Sequence, residues 1–435
     1  MRASFILAFG PVALALALAA VACAASGDDK DETTPRPDAD GGETVIPDGG
    51  TLEADAAEEA AVVDGPKCSQ AGWCVTSLPD PDLLMKDIWP LSGRALSVAE
   101  SPTLGVKVLE WTDAEAKWRY IDDGTQNESG LGRFVGKLWM PNENELYYGV
   151  SPGYVVHGTR PVPPATAWSW TRHRLANSST SVDPDDGNPS YWRLNNGSRY
   201  PALGVWGTSR DDVYAWFKNT IFHWTSLDGG APEWVAEYVA SDTSGPMEQL
   251  HILGAAGTSA DDVWFSGGRA GSFAGCAILV RKTAAGYKRV ADGAIGSFNM
   301  PCTARAGVPL IGGIDGWLTD IQALAPNELV ALKGARDVVR ISADEDSYSV
   351  ALAPVPTTAA SAGLNSLSVE GGNLWLGGMG VVLRGTGVFD GGAYEVSTVS
   401  LTGAPLGRPI YQVRGTSNTN LWAIGVRYAL HKTTP

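Results

Sequence analysis

Gly207-Thr208-Ser209-Arg210-Asp211-Asp212-Val213-Tyr214 sets the reading of the whole chain, because it returns as Gly257-Thr258-Ser259-Ala260-Asp261-Asp262-Val263-Trp264 and as Gly415-Thr416-Ser417-Asn418-Thr419-Asn420-Leu421-Trp422. In each copy an apolar run enters a small polar turn and leaves through an apolar pair. Weaker copies stand at Asn144-Glu145-Leu146-Tyr147, Asn327-Glu328-Leu329-Val330 and Gly372-Asn373-Leu374-Trp375. Recurrence at intervals of roughly 45 to 67 residues marks a repeat architecture, in which each unit is too small to bury its apolar face alone.

Three further columns test the repeat. About ten residues beyond each apolar pair lies a second pair ending in a charged or titratable residue: Glu110, His157, His223, Arg281, Arg340, Arg384 and His431. Apolar runs precede the turns, as at Asp87-Ile88-Trp89, Leu203-Gly204-Val205-Trp206 and Tyr411-Gln412-Val413. A fourth set follows the charged column, from Lys117-Trp118-Arg119-Tyr120 to Tyr394-Glu395-Val396. The last unit lacks that fourth strand, and Gly72-Trp73-Cys74-Val75-Thr76-Ser77-Leu78 supplies it from the other end of the chain. Four short aromatic and β-branched strands per unit, punctuated by Gly, Asp and Asn, specify an antiparallel propeller blade. Residues 68–435 divide into seven units of about 53 residues, near the kelch-type length. The fold expected is therefore an all-β, seven-bladed β-propeller of four-stranded antiparallel blades, with the last blade completed by the N-terminal strand. The borrowed strand ranks it above an open β-solenoid, because it closes the ring without a free sheet edge. Sixteen Trp, 52 Gly and 18% charged residues suit a large, turn-rich β domain.

Residues 1–22 read as a lipoprotein-type signal peptide: Arg2 begins it, Phe5 to Val21 is apolar, and Ala20-Val21-Ala22-Cys23 matches a lipobox except for Ala in place of the usual Leu. Cys23 is then the lipidated residue. The alternative, cleavage at Ala22-Cys23-Ala24, gives a secreted, soluble protein. Residues 23–67 form an acidic tether. Between 24 and 66 there are 13 acids against Lys30 and Arg36, a net −11 of the whole chain's −16. Such composition predicts an extended, disordered segment. With Arg2 set aside, the remainder carries −6, and it has no basic stripe, which argues against nucleic acid as a partner. The expected place is the bacterial cell envelope, lipid-anchored in the outer membrane or facing the periplasm, with Ala24 in place of Asp leaning to outer-membrane sorting. A monomer is expected.

With Cys23 lipidated, four cysteines remain. Proximity and the blade map favour disulfides Cys68–Cys74 and Cys276–Cys302. No Cys or His pairs stand at metal-ligand spacing. His157, His223 and His431 share their column with Arg281, Arg340, Arg384 and Glu110, which makes them structural positions rather than a metal triad. Asp211, Asp212, Asp261 and Asp262 are expected to build turns by bonding the turn backbone. The segments differ from the Asp-box of sialidase-like propellers in lacking its Gly and in the offset of the Trp. Gly-x-Ser-x-Gly, His-Glu-x-x-His, phosphate-loop and dinucleotide motifs do not occur. No catalytic residue, metal or cofactor is assigned, and the chain is read as a binding protein rather than an enzyme.

Three stretches depart from the repeat: 176–201, 268–275 and 291–316. Each joins an outer to the next inner strand or a second to a third strand, so all three emerge on one face of the disc. Loop insertions on one face commonly form the binding surface of a repeat protein. The ligand-binding residues expected there are Asp185, Asp186, Tyr191, Trp192, Arg193, Tyr200, Arg269, Phe273, Phe298 and Arg305. Aromatic and Arg side chains on loops suit sugar stacking or protein contact. Over residues 70–435 the chain resembles bacterial secreted and lipoprotein β-propellers built from Trp-Gly-Thr-Ser-x-x-Asp-Val-Trp repeats, most sharply at 206–214, 257–264 and 415–422. The resemblance implies an exported propeller without implying an activity. The function expected is an anchored module that recognises a protein or glycan through the loops of one face. The alternative, a carbohydrate-active hydrolase or lyase, requires convergent carboxylates in the central channel.

Overall fold

Second strands of six residues, each buried at nearly every position, occupy the middle of their blades, because both sheet faces are packed against neighbouring blades. The computed structural model describes residues 67–130, 134–175, 191–193, 199–241, 248–270, 275–295, 302–311, 316–344 and 347–434. The signal, residues 23–66 of the tether with Cys23, and Asp185, Asp186, Phe273 and Phe298 lie outside them. Among the described residues there are seven four-stranded antiparallel units. Blades 1 to 7 span residues 84–120, 135–174, 203–239, 249–291, 318–354, 364–397 and 410–432. Their inner strands touch in cyclic order, the seventh against the first. Apolar clusters fill each seam. Between blades 4 and 5, for example, Trp264 and Leu279 pack on Leu329 and Ile341.

Closure takes place as the sequence requires. Trp73–Thr76 pairs antiparallel with the last strand, Trp73 opposite Lys432 and Thr76 opposite Ala429. The paired stretch is shorter than 72–78. The Thr76 hydroxyl donates to Ala429 O at 2.8 Å and accepts from Trp118 Nε1 at 3.0 Å, so the chain is fastened to blade 1 as it leaves blade 7. Trp73 is fully buried, edge-on to Trp375 at 6.2 Å, and donates to Ser397 Oγ at 2.9 Å.

Bulges in the inner strands fix how the blades meet. At the bulge, Asp87 accepts from Leu138 N of the next blade at 2.9 Å, Asp320 from Leu367 N at 3.0 Å, and Ser366 from Val413 N at 2.9 Å. Between blades 2 and 3 there is direct pairing instead, Gly204 with Lys137, which merges them into one eight-stranded sheet. Only glycine permits this: a Cβ on Gly136 would stand 2.1 Å from Leu203 O.

Candidate functional site

Of the residues expected at the insertion face, Arg269 and Arg305 are tied into the fold by ion pairs. Tyr191–Arg193 pairs with Arg199–Pro201 as a hairpin, Trp192 opposite Tyr200. Residues 268–270 are not a loop: Asp262–Ala270 is one strand, and Arg269 lies between Leu250 and Cys276. Arg269 is completely buried. It grips Asp292 through Nε at 3.1 Å and Nη2 at 2.9 Å, and Glu248 through Nη1 at 2.8 Å. The expectation of an exposed Arg269 is thus corrected, because a buried Asp292 needs a buried cation. Arg305 and Arg289 complete the cluster at 3.5 and 2.8 Å from Asp292. Cys276–Cys302 staples the 293–304 hairpin over it, and Cys68–Cys74 closes the entry to the first strand, both as paired from the sequence. Arg305 therefore supports a stapled appendage.

The repeated turn proves to be a side-chain clasp. Asp262 does not bond its own turn backbone; it accepts from Thr258 Oγ1 at 2.9 Å, from Trp264 Nε1 at 2.9 Å and from Arg281 Nη2 at 2.9 Å. Asp212 likewise binds Thr208, Tyr214 and His223. The backbone role expected of these acids falls to serine, with Ser209 Oγ accepting from Asp211 N at 3.3 Å. Acid and aromatic point the same way because residues two apart share a sheet face, and the third-strand His or Arg stacks on the ring. His157 lies 4.1 Å from Tyr147, His223 4.5 Å from Tyr214, Arg281 4.6 Å from Trp264 and His431 4.0 Å from Trp422. The histidine column is a stacking position. Burial lowers the pKa of His157 and His431. Burial opposes charge on His223 too, but bonds to Asp212 and Glu237 outweigh it and hold the ring up to about 9.

The concavity with mixed chemistry is the central channel at its turn-face end, opposite the insertions. A cavity of about 490 Å³ runs from the level of Asp320 to the first-to-second-strand turns, lined by the ends of six inner strands. Trp89 and Trp206 supply aromatic wall, and Gly257 and Gly415 bare backbone. Arg414 lies 5.2 Å from the Trp89 ring, anchored to Ile88 O at 3.0 Å and to Asp87 at 3.6 Å. Glu370 sits near the rim, accepting from Ser368 Oγ at 3.0 Å. Burial raises its pKa, an effect reduced by the Ser368 bond and the Arg414 charge. Deeper in the channel, Lys137 crosses from blade 2 to Gln412 at 3.0 Å and Asp320 at 3.5 Å.

Two of the acids in the channel are already engaged. Asp320 is occupied by Leu367 N, Lys137 and Gln412, and Asp87 by two backbone amides and Arg414, so neither is placed to pass a proton to a ligand. Two indoles, one guanidinium and one carboxyl give the cavity an amphipathic lining. None of these residues was picked out as ligand-binding in the sequence, since each looks like inner-strand core in its own repeat. The available signal was polar residues at the ends of otherwise apolar strands, Glu370 and Arg414.

No protein-family model matches the sequence, and no curated protein matches it. Solved structures do resemble the fold. YCF48 from Cyanidioschyzon merolae superposes with a TM-score of 0.52 at 12% identity, covering 84% of this chain and 99% of that one. YCF48 bound to D1 peptide gives 0.52 and 12%, with 84% and 97% covered. The extracellular domain assigned to a hybrid two component system of B. thetaiotaomicron gives 0.51 and 8%, with 84% and 40% covered. At such identities the similarity is one of fold, and the fold is the β-propeller.

Proposed function

We propose that this chain is an exported, lipid-anchored β-propeller interaction module that binds a segment of a partner protein at the turn-face mouth of its central channel. The observation that carries the reading is the 490 Å³ cavity in which Trp89, Trp206, Arg414 and Glu370 converge from four different blades. Aromatic and Arg side chains in a partly desolvated pocket are the residues that dominate binding energy at protein interfaces. A second support is that a protein of the same fold was solved bound to a peptide. The anchoring part of the proposal is supported by Cys23 and the acidic stretch after it, a pattern that suits a lipid-tethered protein of the bacterial envelope.

Binding to arrays of envelope-protein peptides and of glycans tests this, with Arg414→Gln and Glu370→Gln beside wild type. Loss of an interfacial Arg anchor is expected to weaken peptide binding roughly 30-fold while circular dichroism is unchanged. Undiminished peptide binding in both variants would remove the mouth from the site. Glycan binding without peptide binding would change the ligand class, and loss of binding in Trp192→Ala/Arg193→Ala would move the site to the insertion face.

A further inference from the structure

The clasp is not repeated in every blade: blade 1 has Leu96 opposite Glu110, and blade 5, at its seam with blade 6, has an aliphatic residue opposite an arginine. The second-strand slot that holds Tyr147, Tyr214, Trp264 and Trp422 in blades 2, 3, 4 and 7 holds Val330 in blade 5, opposite Arg340 just as Trp264 stands opposite Arg281. In those four blades a ring lies 4.0 to 4.6 Å from the third-strand His or Arg. Val330 has no ring to offer. The space left is a cavity of about 160 Å³ whose floor is Val330, Val369 and Leu374. On one side Phe389, from the turn between the last two strands of blade 6, lies 4.9 Å from the Arg340 guanidinium. The rim is open: Leu324 is 39% exposed and the Arg340 side chain 36%.

We propose that this seam is a binding slot for an aromatic side chain carried by a partner protein, the incoming ring taking the place that each of the four clasped blades fills from its own sequence. Size, surroundings and charge agree. An apolar cavity of about 150 Å³ is what a benzene-sized ring occupies. Gly385 keeps the wall free of side chain, and Phe389 offers an aromatic neighbour. Arg340, whose ion pair with Glu328 is a loose 3.8 Å, presents a cation to the ring face. Exposed Leu324 extends the apolar rim for the residues flanking the ring. The slot is separate from the channel mouth, so it stands or falls independently of the function proposed above.

A random peptide library displayed on phage and panned against the full chain provides the probe, with affinities of the recovered peptides measured by fluorescence anisotropy. Recovered peptides are expected to share a Phe, Tyr or Trp. Val330→Trp, which refills the slot from within, is expected to weaken them roughly tenfold or more and to leave the melting temperature unchanged or higher. Arg340→Ala, at the rim, is expected to weaken them without affecting folding and covers the case in which Val330→Trp does not fold. Arg414→Gln is expected to leave them unaffected. Indole alone, titrated into methyl-labelled protein, should shift the resonances of Val330, Val369 and Leu374 and should lose that effect in Val330→Trp. Peptides without a shared aromatic, peptides insensitive to both seam variants, or indole shifts that persist in a folded Val330→Trp would each overturn the proposal.

Discussion

Trp73→Ala tests whether the ring is held shut by its first strand. Trp73 is fully buried among Val382, Ile410, Leu421 and Leu430, so truncation removes an indole from a packed seam at about 3 to 5 kcal/mol. The bond from its Nε1 to Ser397 Oγ goes as well, adding about 1 kcal/mol. Strand pairing from Cys74 to Thr76 remains formally possible, which makes about 4 to 5 kcal/mol a fair figure for the loss. Spread over a domain of about 370 residues, whose unfolding entropy is roughly 0.8 kcal/mol/K, that corresponds to a fall of about 5 to 6 °C in melting temperature. Differential scanning calorimetry of wild type, Trp73→Ala and a variant lacking residues 30–60 is the assay. The tether deletion should melt with the wild type. A Trp73→Ala melt within about 1 °C of wild type would show that the seam at blade 7 does not depend on the borrowed strand.

Asp262→Ala should cost about 3 to 5 kcal/mol by leaving Arg281 buried without its anion, visible as a lower urea midpoint; a change no larger than that of Asp211→Ala would refute the clasp. His223 has a folded pKa raised above the ordinary 6.5 to about 9, so its stabilisation is complete below about pH 6.5 and fades as the pH rises through 9. The stability difference between wild type and His223→Gln should therefore shrink above pH 9, and a ring titrating near 6.5 by NMR would contradict the reading. Cys276→Ser/Cys302→Ser opens a 26-residue loop and should lose about 3 kcal/mol while the blade 4 strands persist in hydrogen exchange. Cys23→Ser should abolish incorporation of a fatty-acid probe and move the protein out of the membrane fraction; an unlabelled, soluble wild type would sink the anchor.

The four columns of apolar runs placed every blade strand because a blade is a local object, its hydrogen bonds made between neighbours in the chain. Residues 72–78 were legible for the complementary reason: a strand was missing at one end and present at the other. The channel mouth was not legible, because Trp89, Trp206 and Arg414 meet only after the ring closes. Arg269 misled for a different reason. Gly267-Gly268-Arg269-Ala270 has the composition of a loop, and the acid that buries its guanidinium, Asp292, lies on another strand connection. The Thr-Ser-x-x-Asp signature was recognised as a turn, but its chemistry depends on a His or Arg about ten to twenty residues away across the sheet.

The clasps also reach beyond their own blades. Asp262 accepts from Asn327 N of blade 5 at 3.0 Å, Trp375 donates to Asn418 of blade 7 at 3.0 Å, and Asn420 donates to Leu91 O of blade 1 at 3.0 Å. At these three of the seven seams each unit is thereby tied to its successor. Two of these bonds use a backbone group of the neighbouring blade, which any residue supplies, whereas the Trp375–Asn418 bond ties blade 6 to one particular side chain of blade 7. The clasp that makes the repeats recognisable thus also fastens one blade to the next.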